Sequence, residues 1–137
     1  MSRNNPDESA RNFFELNQAS GIPLSRTVTW NIVPWYLGTA TRIRPAADAD
    51  VRAGLPYLAR LLALLPKLTS VVMVGRRAQA ARSCLERARP DLRLFAMPHP
   101  SPMFVNRAPG NRKSLIAALD RVARYLGEGK AAVQLAT

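Results

Sequence analysis

A single histidine lies in a proline-rich stretch, Pro98-His99-Pro100-Ser101-Pro102, and is the clearest candidate for chemistry in the sequence. Proline fixes φ, so the direction of an imidazole between two prolines is largely preset. An imidazole held in this way can donate a hydrogen bond to an oxygen that gains negative charge when a bond breaks. The plain alternative is a surface histidine in a turn.

Asn31 is the second candidate, because it stands near the end of a β-branched and aromatic stretch. Its amide presents a donor and an acceptor side by side, a pattern that matches O4 and N3–H on the Watson–Crick edge of uracil, whereas cytosine presents the reverse. A fixed amide can discriminate between the two, because the wrong base leaves buried polar groups unpaired. An asparagine that only satisfies backbone groups is an equally good interpretation of the residue alone.

Helices and strands alternate along the chain. The patterns predict helices over about 5–19, 48–65, 77–89 and 111–126, and strands over 27–33, 70–74 and 92–97. Alternation without a tight hairpin signal predicts a three-layer α/β/α fold with a small parallel sheet. Ligands bind at the carboxyl ends of such strands, so Asn31 and His99 are expected to point into one crevice.

The chain is short enough to be one domain, which we place at residues 1–127, with residues 128–137 as a tail. Pro56 falls inside the second predicted helix and should kink or divide it, because proline lacks the N–H needed there.

Charge is strongly unbalanced, with 20 Lys plus Arg against 9 Asp plus Glu and a net charge of +11. An arginine-rich excess favours nucleic acid as the partner, although solvated surface arginines are the alternative. Cys84 is the only cysteine, which excludes an internal disulfide or a cysteine-based metal cluster and predicts a cytoplasmic protein. No apolar run approaches the ~20 residues of a membrane span, and no signal peptide is evident.

Four elements together resemble the uracil-DNA glycosylase superfamily over about residues 3–127. They are Trp30-Asn31-Ile32-Val33-Pro34-Trp35, Val72-Met73-Val74-Gly75, His99-Pro100-Ser101-Pro102 and Asn106-Arg107. The His-Pro-Ser-Pro element is the most distinctive of the four.

The resemblance implies that Asn31 reads uracil and that His99 stabilises uracil O2 as the base departs. It implies that Ser101 helps to grip DNA phosphate and that Met103 and Phe104 enter the minor groove as an apolar wedge. Simple packing of these two side chains against the last helix is the alternative.

Arg107 and Arg112 suit phosphate contacts, and a solvated surface charge is the alternative interpretation of each. The implied partner is DNA, single or double stranded, the protein is expected to be a monomer, and no cofactor or metal is expected.

The sequence also departs from the family pattern. Members of the family begin with a strand and a glycine- and proline-containing loop that supplies the water-positioning group and an aromatic for stacking, whereas this chain opens with a predicted helix. We therefore expect a fold that is incomplete at the N-terminus, with Met1 as an internal start. None of the aspartates is expected at a strand end, and Cys84 alone is not expected to hold the iron–sulfur cluster of some branches.

The first hypothesis is a DNA repair glycosylase that flips uracil out of DNA and hydrolyses its N-glycosidic bond. The alternative is a catalytically impaired, DNA-binding remnant of such an enzyme. An unrelated nucleotide-binding α/β domain is the third hypothesis, but the sequence has no glycine-rich phosphate loop of the usual kinds.

Overall fold

The fold is an α/β sandwich built on four parallel strands in the order β1-β4-β2-β3. A computed structural model describes residues 11, 12, 15, 16, 18, 19, 22, 24–100, 107–127 and 132–136. A short 3-10 helix, Leu24–Arg26, precedes the first strand. The other elements, in chain order, are β1 (Thr27–Asn31), α1 (Asp48–Ala63), β2 (Ser70–Val74), α2 (Arg76–Gln79), α3 (Arg82–Ala88), β3 (Arg93–Met97), α4 (Pro109–Leu126) and β4 (Ala132–Ala136).

Every residue of β2 is buried, as its apolar sequence predicts for a strand covered on both faces. Successive side chains point to opposite faces, so Val71 and Met73 pack in one core cluster with residues of α1, α2 and α3. Val72 and Val74 pack in the other, with α4. The predicted three-layer α/β/α architecture with a small parallel sheet is confirmed.

The two long helices follow the predicted patterns, with one difference. The helix α1 continues from Asp48 to Ala63 with Pro56 inside it, so the proline does not divide the helix. Pro109 stands in the first turn of α4 and Gly127, with φ of 45°, ends it. These are the positions where a missing N–H and a left-handed backbone are best tolerated.

One predicted helix, 77–89, is two short helices in the structure. Ala80 and Ala81 join them, and their N–H groups bond to Arg77 and Ala78 three residues earlier. Bonds of this spacing belong to the tighter 3-10 turn, which breaks the α-helical path.

The prediction of a tail is wrong for Ala132–Ala136, which form β4 in the interior of the sheet. This strand pairs with β1 on one side and with β2 on the other. Val133, Gln134 and Leu135 have no solvent exposure. Burial on both faces and pairing on both edges therefore hold in place a segment that is too weakly apolar to be identified as a strand from its own composition.

Residues 11, 12, 15, 16, 18 and 19 are helical, which agrees with the predicted first helix where it can be compared. Its predicted start at Asn5 and Pro6 lies outside the described residues. No helix within the described part of the chain is long and apolar enough to cross a membrane.

We predict that Leu135→Ala lowers the free energy of unfolding by about 2–5 kcal/mol, because it removes a fully buried side chain from the interior strand. Leu64→Ala is the matched control, since Leu64 is 77% exposed and its truncation should change stability by no more than about 0.5 kcal/mol. Urea unfolding followed by circular dichroism measures both. Equal, small effects of the two substitutions would contradict a central position for β4.

Candidate active site

Asn31 is the last residue of β1, at the carboxyl edge of the sheet. It pairs with Ala136 of β4, and the next N–H, that of Ile32, donates to the Ala136 carbonyl over 2.6 Å. Gly54 of α1 lies so close that an added Cβ would come within 2.1 Å of the Ile32 carbonyl oxygen. The backbone after Asn31 is thus fixed from two sides, by β4 and by α1.

His99 follows β3 by two residues and is half-buried. Its neighbour is Gly75, directly after β2, whose N–H donates to the Met97 carbonyl over 2.8 Å. Gly75 has φ 89° and ψ 166°, a conformation that is essentially restricted to glycine. A Cβ at Gly75 would lie 3.2 Å from the His99 Cβ and 3.8 Å from the nearest ring atoms, so a side chain at Gly75 would crowd the His99 Cβ.

A buried asparagine supports the histidine loop from a distant part of the chain. Asn12 is 9% exposed, and its Nδ2 donates to the Pro100 carbonyl over 3.4 Å. The bond is long, but it joins residues 88 positions apart. The N-terminal helical residues therefore contact the segment that contains His99.

Asn31 and His99 stand at the same edge of the sheet. Their strands, β1 and β3, are the two outer strands, with β4 and β2 between them. At about 4.8 Å for each of the three strand intervals, the strand ends are roughly 14 Å apart. Asn31 shares a face of the sheet with its partner Ala136, and Ala136 packs in the same core cluster as Met97.

A cavity of about 800 Å³ opens beside Asn31. Its walls come from β1 and from the segment that follows it, namely Thr29, Trp30, Asn31, Val33, Pro34, Trp35, Tyr36, Leu37, Ile43, Arg44 and Ala46. His99 is not among these residues. The cavity is therefore next to Asn31 but is not the crevice between the two predicted site residues.

A small hairpin forms one wall of this cavity. Gly38 bridges Ile43 in antiparallel fashion, and the Thr39 N–H donates to the Arg42 carbonyl over 2.8 Å. Gly38 has φ 123°, and a Cβ there would lie 2.1 Å from the Arg42 oxygen. Only glycine fits at this close approach.

An ion pair ties the hairpin to the start of α1. Asp50 accepts hydrogen bonds from Arg44 Nη1 at 2.7 Å and Nη2 at 3.0 Å, and from the Ala47 N–H at 2.8 Å. The Arg44 bonds, followed by the Ala47 N–H, hold the pKa of Asp50 well below its ordinary value. Asp50 thus remains ionised in acid and keeps the arginine in the cavity wall.

Two carboxylates, Asp48 and Asp50, lie in the first turn of α1 and not at a strand end. Asp48 and Asp50 begin α1, the helix that follows β1, and helix N-termini lie at the carboxyl edge of a parallel sheet. Asp48 is 90% exposed and its Oδ1 is 3.6 Å from Arg77 Nη1, at the start of α2. Both carboxylates therefore lie at a helix start on the side of the sheet where the strands end.

Among the expected DNA contacts, Arg107 is exposed. Arg112 stands in the first part of α4, and its Nη2 is 3.7 Å from Glu15 Oε2, with both side chains partly exposed. An exposed pair at this distance leaves the arginine available to an anion of higher charge. Ser101, Met103 and Phe104 lie outside the described residues.

Two supporting residues, Asn12 and Gly54, were not identified from the sequence, and Gly75 was identified only as part of a family motif. A glycine inside a helix and a glycine directly after a strand are signals of close backbone approach, so Gly54 and Gly75 had a visible signal. Asn12 had none, because it lies on the apolar side of its helix.

The model of the uracil DNA glycosylase superfamily matches residues 6–123 of the chain. No curated protein and no solved structure is significantly similar to it. The matched region contains Asn31, His99, Arg107 and Arg112.

We predict that Gly75→Ala lowers the free energy of unfolding by about 1–3 kcal/mol, because alanine is strained at this φ and ψ. The substitution should also shift the imidazole NMR signals of His99, since the new Cβ presses on the His99 Cβ. Gly110→Ala is the matched control, because nothing lies within 4 Å of a Cβ there and the helix tolerates it. Unchanged His99 signals in Gly75→Ala would contradict the contact.

We predict that Arg44→Ala raises the pKa of Asp50 part of the way to its ordinary value, because the Ala47 N–H still donates to the carboxylate. A lowered pKa in the folded state contributes stability above the ordinary pKa of Asp, and this contribution is lost as the pH falls. The acid limb of the stability profile should therefore become shallower in Arg44→Ala. A carboxyl ¹³C NMR titration measures the pKa, and an unchanged Asp50 midpoint would refute the assignment.

Proposed function

Because the chain belongs to the uracil DNA glycosylase superfamily, we propose that it excises uracil from DNA by hydrolysis of the N-glycosidic bond after base flipping. Membership indicates a glycosylase-type hydrolase of DNA repair, with DNA as the substrate. To this we add two proposals, that the excised base is uracil and that this chain is itself active. The main structural support is that Asn31 ends one outer strand and His99 follows the other at the same edge of the sheet.

In the proposed reaction a flipped uracil lies between these two side chains. A pyrimidine ring with hydrogen bonds of about 2.9 Å on either side can bridge the strand ends if both side chains point toward it. Asn31 reads O4 and N3–H, which cytosine cannot match. His99 donates to O2, where negative charge develops as the bond between N1 and C1′ breaks.

Water supplies the new bond. Its oxygen adds to C1′ of the deoxyribose and uracil departs as an anion with the electron pair of the bond between N1 and C1′. One proton of the water stays on the new C1′ hydroxyl, and the other passes to the uracil anion. Asp48 is the exposed carboxylate at this edge that we propose positions the water. Asp50 is a poorer choice, because its carboxylate is already bonded to Arg44. The Arg77 contact of Asp48 is at 3.6 Å, long enough to be given up to a substrate.

We propose that the net charge of +11 attracts the DNA backbone and that Ser101, Arg107 and Arg112 contact its phosphates. Met103 and Phe104 are the proposed wedge that replaces the flipped base in the stack. Extruding a base costs a few kcal/mol, which contacts of this kind offset.

We predict that the protein releases uracil from single-stranded DNA and that His99→Ala slows release by about 10²–10³-fold, as expected for the loss of one group that stabilises developing charge. Asn31→Ala should slow release of uracil and reduce its preference over cytosine. Alkaline cleavage of an end-labelled oligonucleotide at the abasic site measures the rate under single-turnover conditions.

Cys84→Ser serves as the control, because this half-buried thiol has no proposed part in the reaction. Salt-sensitive DNA binding by the unaltered protein without any base release would favour the catalytically impaired remnant instead. Release that persists at the full rate in His99→Ala would remove the histidine from the mechanism.

A further inference from the structure

Two neighbouring aromatic side chains are exposed in the wall of the cavity beside Asn31. Trp35 is 40% exposed and Tyr36 is 61% exposed. Aromatic rings of this size usually gain most of their stabilisation from burial, so two adjacent exposed rings beside a cavity indicate a binding surface. We call the cavity and these two rings the aromatic groove.

The rings of the aromatic groove are held in place by their own contacts. The Tyr36 hydroxyl donates to the Thr39 carbonyl over 2.6 Å, within the hairpin. Trp35 meets the ring of Tyr57 edge-on, with centroids 5.8 Å apart and planes at 74°. A ligand that stacks on rings already held in position costs less conformational entropy than one that must order them.

Arginines stand next to these rings. The guanidinium carbon of Arg60 lies 5.5 Å from the centroid of Tyr57, which in turn contacts Trp35. Arg42 is exposed in the hairpin, while Arg44 is bonded to Asp50. Exposed rings alternating with exposed cations match the faces of bases alternating with phosphates along a single strand of nucleic acid.

We infer that the aromatic groove binds single-stranded DNA, with an unpaired base stacked on Trp35 or Tyr36. A base in a duplex has both faces covered by its neighbours, whereas an unpaired base offers a free face for stacking. The cavity volume of about 800 Å³ is within the range of sites that accept small organic ligands, so a base fits. This inference rests on the proposed function only in taking DNA as the substrate.

The test is binding of the full chain to a uracil-free oligonucleotide of about 12 nucleotides, measured by fluorescence anisotropy. The same sequence is offered as a single DNA strand, as a DNA duplex and as single-stranded RNA. We expect Tyr36→Ala and Trp35→Ala each to weaken single-strand binding by about fivefold to a hundredfold, with less than a twofold effect on the duplex. The salt dependence should be unchanged, because no charge is removed.

Tyr125→Ala is the matched control, since Tyr125 also lies beside an arginine but packs on Phe95, on another element. Trp35→Phe keeps a stacking face and should bind nearly as well as the unaltered protein, which separates stacking from folding. Unchanged single-strand binding in Tyr36→Ala and Trp35→Ala, equal losses on the duplex, or tighter binding of RNA than of DNA would each overturn the inference.

Base release is measured separately, so the two proposals can fail separately. Binding through Trp35 and Tyr36 without uracil release would refute the proposed activity and leave the groove assignment in place. Uracil release by the unaltered protein, together with normal single-strand binding by the groove variants, would support the proposed activity and refute the groove assignment.

Discussion

Hydrogen bonding through one interior strand sets the spacing of the candidate site. β4 pairs with β1 on one edge and β2 on the other, and β2 pairs with β3, so Asn31 is linked to the strand before His99 only across β4. The backbone groups of a buried strand must be paired, which makes this arrangement cooperative. The distance between an amide and an imidazole remote in the chain therefore depends on five residues that contribute no side chain to the proposed chemistry.

Glycine supplies the second requirement, close approach of backbone to the site. Gly54 lets α1 lie against the Ile32 carbonyl, and Gly75 leaves space for the Cβ of His99. At these two positions on different elements a side chain would displace the backbone after Asn31 or the histidine itself. The placement of Asn31 and His99 thus depends on neighbouring residues that have no side chain as well as on the contacts of the residues that have one.

Much of the architecture was predictable, because local patterns and burial agreed. β2 is apolar from Val71 to Val74 and buried throughout, and α4 has both a helical apolar stripe and a terminal glycine. β4 was missed because Gln134 interrupts a short, alanine-containing segment, and only its partners on both edges make it a strand. Propensity cannot identify a strand whose stability comes from its neighbours.

For the site, the general rule on carboxyl ends of parallel strands placed Asn31 and His99 at one edge. The contact between Asn12 and the Pro100 carbonyl and the approach of Gly75 to His99 were out of reach, since they join segments far apart in the chain. The family motifs pointed to the histidine and included Trp35, but they gave no sign of the cavity that β1 and the segment with the Gly38 hairpin line together.

The order of pairing in the sheet has a consequence for biosynthesis. β1 leaves the ribosome early, yet its partner β4 is among the last described residues to be made, and no other strand in the described chain pairs with β1. During translation β1 must wait with an open edge, and long-range parallel pairing is slow once it can begin. The nascent chain is therefore expected to need chaperone protection until β4 has emerged.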